Sequence, residues 1–154
     1  MSAPQNQYFV LTLPLKPELW QQDLLEKRFE MNRQIYNALL DTAIKRYRQM
    51  AQTRAYRANK EALFHTVEKE QRKKLLQERD SLIEKYQLRN YDRCREAARY
   101  RQHFQDHTDS PIVQNLAGEV WQAVDGLIKG TAAQVYPKKP GQLKSLSGKT
   151  NRSS

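Results

Sequence analysis

The residues able to do chemistry fall into four sets, and three of them lack the company their chemistry needs. His103 and His107 stand four apart, a spacing that puts two imidazoles on one helical face for a metal ion, with Asp106 and Asp109 close by. The helical pattern breaks at Asp106–Asp109 and no third ligand is evident, so the pair reads as surface histidines. Ser147-Gly148-Lys149-Thr150 echoes the end of a phosphate-binding loop. The upstream glycine and strand and the following helix are missing, which leaves a basic turn. Glu26, Glu30, Glu68, Glu70, Glu78 and Glu84 are interleaved with Lys and Arg on charged helical stretches, where nothing sequesters a carboxyl and shifts its pKa for acid–base work. No nucleophile elbow and no His-Glu-x-x-His pair occurs. The expectation is a chain with no catalytic residue, no metal site and no cofactor of its own.

The fourth set is cationic. From Tyr86 to Phe104, arginines and aromatics interleave as Arg89, Tyr91, Arg93, Arg95, Arg99, Tyr100 and Arg101. Guanidinium forks grip phosphates and rings stack on unpaired bases. In a helix about half of these side chains face the interior, so the tyrosines read more readily as core, and Arg89, Arg93 and Arg99 are the candidate phosphate contacts. A second group gathers Lys45, Arg46, Arg48, Arg54 and Arg57; Lys45 and Arg46 could line a backbone groove. The third group is the tail: no acidic residue follows Asp125, whereas Lys129, Lys138, Lys139, Lys144, Lys149 and Arg152 do, and these six carry most of the net charge of +10. Neutralised phosphates release counterions, so a polyanion partner follows. A membrane surface would require an apolar amphipathic face that the tail lacks.

These residues need elements to position them. The 154 residues suit one domain, and two Trp, eight Tyr and four Phe supply core anchors although 29% of the chain is charged. A single cysteine, Cys94, allows neither an intramolecular disulfide nor a thiolate cluster. The absence of an 18-residue apolar run and of a basic leader predicts a soluble, cytoplasmic protein. Tyr8–Leu13 reads as a short strand stopped by Pro14 and Pro17. Apolar residues from Leu25 through Tyr36, Leu39, Leu40 and Ala43 to Met50 predict one amphipathic helix from Glu18 to about Gln52. A turn near Arg54–Asn59 would lead into a second long helix through Leu63, Val67, Leu75, Leu82 and Tyr86, closing a hairpin. Asn90 would cap a third helix reaching about Phe104. Ser110 and Pro111 would open a fourth, central helix carrying Val113, Leu116, Ala117, Val120, Trp121, Val124, Leu127, Ile128 and Val135. Past Tyr136 the composition predicts loop without a core of its own. The predicted class is therefore mainly α: an antiparallel bundle of about four helices with a short N-terminal strand and a basic, largely irregular tail. Its divisions are 1–17, 18–136 and 137–154.

The order of these pieces carries a resemblance. A strand runs into Leu13-Pro14-Leu15-Lys16-Pro17, Arg33–Leu40 reads Arg-Gln-Ile-Tyr-Asn-Ala-Leu-Leu, and a late helix holds Gln114-Asn115-Leu116-Ala117 and Val120-Trp121-Gln122-Ala123. After it come Lys138-Lys139, Gly141, Leu143, Ser145-Leu146 and Gly148-Lys149-Thr150-Asn151. Over nearly its whole length the chain resembles the N-terminal part of the TnpB family, transposon-encoded RNA-guided nucleases related to type V CRISPR effectors. The resemblance implies that the strand opens an oligonucleotide-binding-type barrel, incomplete here, that a helical recognition lobe is inserted, and that the chain returns to the barrel at Lys138–Asn151. It implies that cleavage chemistry belongs to a later RuvC-like domain absent from these residues, which would make the chain a truncated fragment and that domain its partner. The implied partners are guide RNA and the RNA–DNA heteroduplex, held by backbone and shape. Lys138, Lys139, Lys144 and Lys149 are then the foremost phosphate contacts by position. A barrel strand without neighbours leaves an open edge, so a poorly ordered start and tail are expected. The rival expectation is a helical scaffold or interaction protein whose basic tail is incidental.

Overall fold

Leu19–Ala51 runs 33 residues with no Gly or Pro to interrupt it and forms α1. The computed structural model describes residues 10–147, and within them five helices follow one another. At the start of α1 the Glu18 N–H donates to Gln21 Oε1 at 2.9 Å, satisfying one of the donors that a helix start leaves open. The end of α1 matches expectation, but the predicted turn at Arg54–Asn59 is helical. Thr53 caps α2 (Arg54–His65), its Oγ1 accepting from the Tyr56 N–H at 3.2 Å. The predicted second long helix is thus two helices, α2 and α3 (Lys69–Lys85), separated at Thr66, which is extended. Val67, expected in the core, lies in this break and is exposed. Arg72 Nη1 folds α3 back along α2 by donating to Leu63 O at 2.9 Å, and Asn59 Nδ2 donates to Leu75 O at 2.8 Å. The pairing of 59 with 75 and 63 with 72 makes the two helices antiparallel.

The remaining helices are α4 (Asn90–His103) and α5 (Ser110–Lys129). Each is capped one residue earlier than predicted. Arg89 stands at the N-cap of α4, where its N–H donates to Asp92 Oδ2 at 3.2 Å. Asp109 caps α5, accepting from the Ile112 N–H at 3.0 Å, and Ser110 is already helical. The carboxylate accepts as well as a hydroxyl and suits the positive end of the helix. Gly130, left-handed at φ 77°, stops α5. Val135 therefore belongs to the following loop, although it still packs on the core. As expected, α5 is central: it packs against both α1 and α4. Ile35, Leu39, Leu40 and Ala43 meet Ala97, Leu116, Ala117, Val120 and Val124 in the core. The strand finds no counterpart. Tyr8 and Phe9 lie outside the described residues, Val10–Leu13 pairs with nothing, and no strand or sheet occurs among the described residues, because an extended segment needs a neighbour to bond to.

Two buried polar groups fix the joints. Asn32 on α1 accepts from Thr108 Oγ1 at 2.7 Å and donates to Arg28 O and to His107 O, which ties the α4–α5 connection to α1. At the α3–α4 corner Gln87 is left-handed (φ 53°). The Gln87 N–H donates to Glu84 O and the Leu88 N–H to Ile83 O, a paired closure of the helix end with Leu88 buried beneath it. Arg93 is completely buried under this corner. Its Nη2 donates to Gln87 O at 2.8 Å, and its Nη1 lies 2.9 Å from Glu96 Oε2. That second contact is ionic rather than an aligned hydrogen bond.

Replacing Arg93→Leu strands the Glu96 carboxylate and should destabilise the fold by about 3–5 kcal/mol. The double replacement Arg93→Leu with Glu96→Leu should recover most of that loss. Urea unfolding midpoints of the two variants check this; equal losses would mean that Glu96 is not the partner that matters.

Candidate functional site

The outer face of α4 is where the predicted cations meet solvent. Tyr91, Arg95 and Arg99 are exposed on it, while Arg101 is exposed on the side towards α5, beside Ser110 and Gln114. Positions 91, 95 and 99 recur every four residues, so they share one side. The Arg95 guanidinium sits 4.9 Å from the centre of the Tyr91 ring. Both acidic residues of the helix are occupied elsewhere: Asp92 at the cap and Glu96 with Arg93. The face therefore presents guanidinium groups and an aromatic ring, and none of its arginines is paired with a carboxylate among the described residues. Arg89, at the start of α4, is exposed and makes a loose 3.6 Å pair with Glu84.

Among the predicted contacts, Arg93 is corrected. Complete burial keeps its guanidinium from any phosphate, and it serves the α3–α4 corner instead. Arg46 works at the same corner, donating to Gln87 Oε1 at 2.9 Å. Lys45 is exposed and pairs with Asp41 at 2.8 Å, so its charge is already answered on α1. The structure thus brings Arg46, Arg89 and Arg93 to one corner but gives only Arg89 an open guanidinium. Arg95 and Arg101, which belong to the interleaved series without being among the chosen contacts, are more available than Arg93. The signal for Arg95 was the four-residue phase that it shares with Tyr91 and Arg99.

The tail behaves differently from the prediction. Residues 131–147 are irregular yet lie against the bundle, with Leu143 buried. The Lys138 N–H donates to Asn37 Oδ1 at 2.8 Å, and Lys138 O accepts from Asn37 Nδ2 at 2.8 Å and from Arg33 Nη1 at 2.9 Å. Lys138 Nζ lies over the Tyr36 ring at 4.5 Å and 3.4 Å from Glu119. Its ammonium is engaged within the fold rather than offered to a phosphate. Lys139 is exposed. Lys144 is exposed beside a groove that also presents Glu26 and Glu30. Lys149 and Arg152 lie outside the described residues.

Glu30 sets the electrostatics of this anchorage. Hydrogen bonds from Arg33 and then Gln34 pull its carboxyl from 4.5 down to about 2, and the same contact raises the Arg33 guanidinium. Burial pushes the Tyr36 hydroxyl up, helped by the Glu119 charge. No group of three His, Cys, Asp or Glu residues placed to hold a metal exists among the described residues. No helix among them is long and apolar enough to cross a membrane.

No family model, curated protein or solved structure matches the chain.

Asn37→Leu removes both bonds to the Lys138 backbone and should release residues 131–147 while the helices persist. The expected result is faster amide exchange confined to that segment, with unchanged helical circular dichroism. A pH effect accompanies it. The Glu30 carboxyl is held below its unfolded value, so its contribution is complete above about pH 4.5 and is lost as the pH falls towards about 2. Glu30→Gln should flatten the decline of the urea midpoint across that window, which parallel titrations of the two proteins measure.

Proposed function

We propose that this helical bundle is a non-catalytic, nucleic-acid-binding module that holds RNA by its phosphate backbone in the cytoplasm. One observation carries the reading: the exposed face of α4 displays Arg95 and Arg99 beside Tyr91, with Arg101 exposed along its α5 edge, while its acidic residues are engaged at the cap and towards the interior. A row of guanidinium forks free of carboxylates suits phosphate, and a cation stacked on an exposed ring suits an unpaired base. Arg89 extends the row at one end, and Lys139 adds a second exposed cation on the tail. The order of elements resembling TnpB-family proteins supports the more specific reading, in which the RNA is a guide and its heteroduplex with DNA, and cleavage is left to a separate nuclease domain. There base pairing supplies sequence specificity and the module reads only backbone and shape.

A second reading has its own observation. Leu11, Leu13, Leu15, Leu19 and Trp20 form an exposed apolar stretch at the start of the described chain, as an interaction or scaffold protein would present to a partner.

Salt dependence separates the two. Anisotropy titrations of a labelled RNA hairpin at several salt concentrations should give a steep log Kd against log salt line. Arg95→Ala, Arg99→Ala and Arg101→Ala should each lower that slope by about one and weaken binding about equally for unrelated sequences. Lys138→Ala should leave the slope unchanged. A flat line for the unaltered protein, or a slope indifferent to the triple variant, would overturn the nucleic-acid reading.

A further inference from the structure

The antiparallel α2–α3 pair leaves a groove of about 580 Å³ against the end of α5, within the range of small-molecule sites. Five cations line it, among them Arg57, Lys60, Arg72 and Arg79. None of these four has a carboxylate within ion-pair distance among the described residues. Lys129, also on the lining, is answered by Asp125 at 2.8 Å, and Glu61 is the one acid there. Arg72 is held in place by its bonds to Leu63 O and Thr66 O, so part of the positive field is rigid. The wall contains polar atoms with nothing to bond: Asn59, 4% exposed, leaves its Oδ1 without a partner, as Arg79 does its Nε. Native structures keep few such atoms, and each calls for an explanation. Beside the cations, Phe64 is 85% exposed and meets the His65 ring edge-on at 5.1 Å, while Leu63 and Ile128 give the groove an apolar floor.

Like charges gathered with a single acid among them repel one another and are relieved by an anion. An inorganic anion would leave Phe64 unused, and an apolar ligand would leave the cations unanswered. We propose that the groove between α2, α3 and the end of α5 binds a nucleotide unit, its phosphate among Arg57, Lys60, Arg72 and Arg79 and its base on the exposed face of Phe64. This site uses none of the residues of the α4 face and stands independently of the function proposed above. The same chemistry comes from two sources, a free nucleotide or one unpaired residue of a single strand, and two probes tell them apart.

Calorimetric titrations of the whole chain with adenosine monophosphate, with a single-stranded hexa-adenylate and with inorganic phosphate test the proposal. Phe64 and Lys60 are exposed, so Phe64→Ala and Lys60→Ala should keep the fold, which thermal melts verify. Saturable binding of the monophosphate, weakened about tenfold by Phe64→Ala and also by Lys60→Ala, supports a free nucleotide. Binding of the hexamer alone, with the same two sensitivities, supports a strand residue. The proposal is overturned if neither nucleotide probe binds, or if inorganic phosphate binds as tightly as the monophosphate and Phe64→Ala changes nothing. It is equally overturned if Arg95→Ala, Arg99→Ala and Arg101→Ala together abolish hexamer binding while Phe64→Ala and Lys60→Ala leave it intact.

Discussion

A guanidinium removed entirely from water organises this molecule. Burying a charge is steeply unfavourable unless it is paired and bonded, and burial pushes Arg93 below its ordinary pKa while Glu96 opposes that shift. The group stays charged because Glu96 and the Gln87 carbonyl are brought to it. Those two requirements reach outward. The Gln87 carbonyl is available only because Gln87 adopts the left-handed conformation that ends α3, which fixes where α4 begins. Glu96 is consumed inside, which leaves the solvent face of α4 without the carboxylate that would neutralise its arginines. The electrostatics of the proposed binding face thus follow from the packing beneath it.

α1 relies on carboxamides in a comparable way. Asn32 and Asn37 each offer donors and an acceptor: Asn37 spends both on the Lys138 backbone, and Asn32 donates to His107 O and accepts from the Thr108 hydroxyl, all in segments without regular structure. Irregular segments near a core must find partners for their N–H and C=O groups. Here the helix supplies those partners, and the α4–α5 connection and the tail are held without any sheet among the described residues.

How much was legible in the sequence depended on whether the cause was local. The extent of α1 follows from an unbroken apolar period without Gly or Pro, and the start of α5 from Ser110 and Pro111, so the mainly helical bundle and its central helix could be read directly, whereas that reading passes over the stop at Gly130 and places Val135 on the helix. The division between α2 and α3 could not. It turns on Thr53 as a cap and on the extended Thr66, neither of which interrupts the spacing of Leu63, Leu75 and Leu82. Arg93 is instructive because its burial was written in its phase, shared with Ala97 and Tyr100, yet in a row of arginines the residue type spoke louder than the position. Lys138 gave no such sign: its partners lie about a hundred residues away on α1, and only the folded chain shows that its ammonium is occupied. An isolated apolar run predicts a strand, but a strand is a property of two segments.

The tail between 131 and 147 has one permitted alignment on the bundle. Asn37 clasps both backbone groups of Lys138, Leu143 is buried further along, and Asn115 Nδ2 donates to Ser147 O at 2.6 Å. A slip of one residue in one direction would bring Pro137 to Asn37, and proline has no N–H to give; in the other it would lift Leu143 from its socket. The segment therefore acts as a gauge laid across α1 and α5: any sliding of one helix along the other must first unseat it, so the relative register of the two longest helices is measured by a stretch of chain with no regular structure.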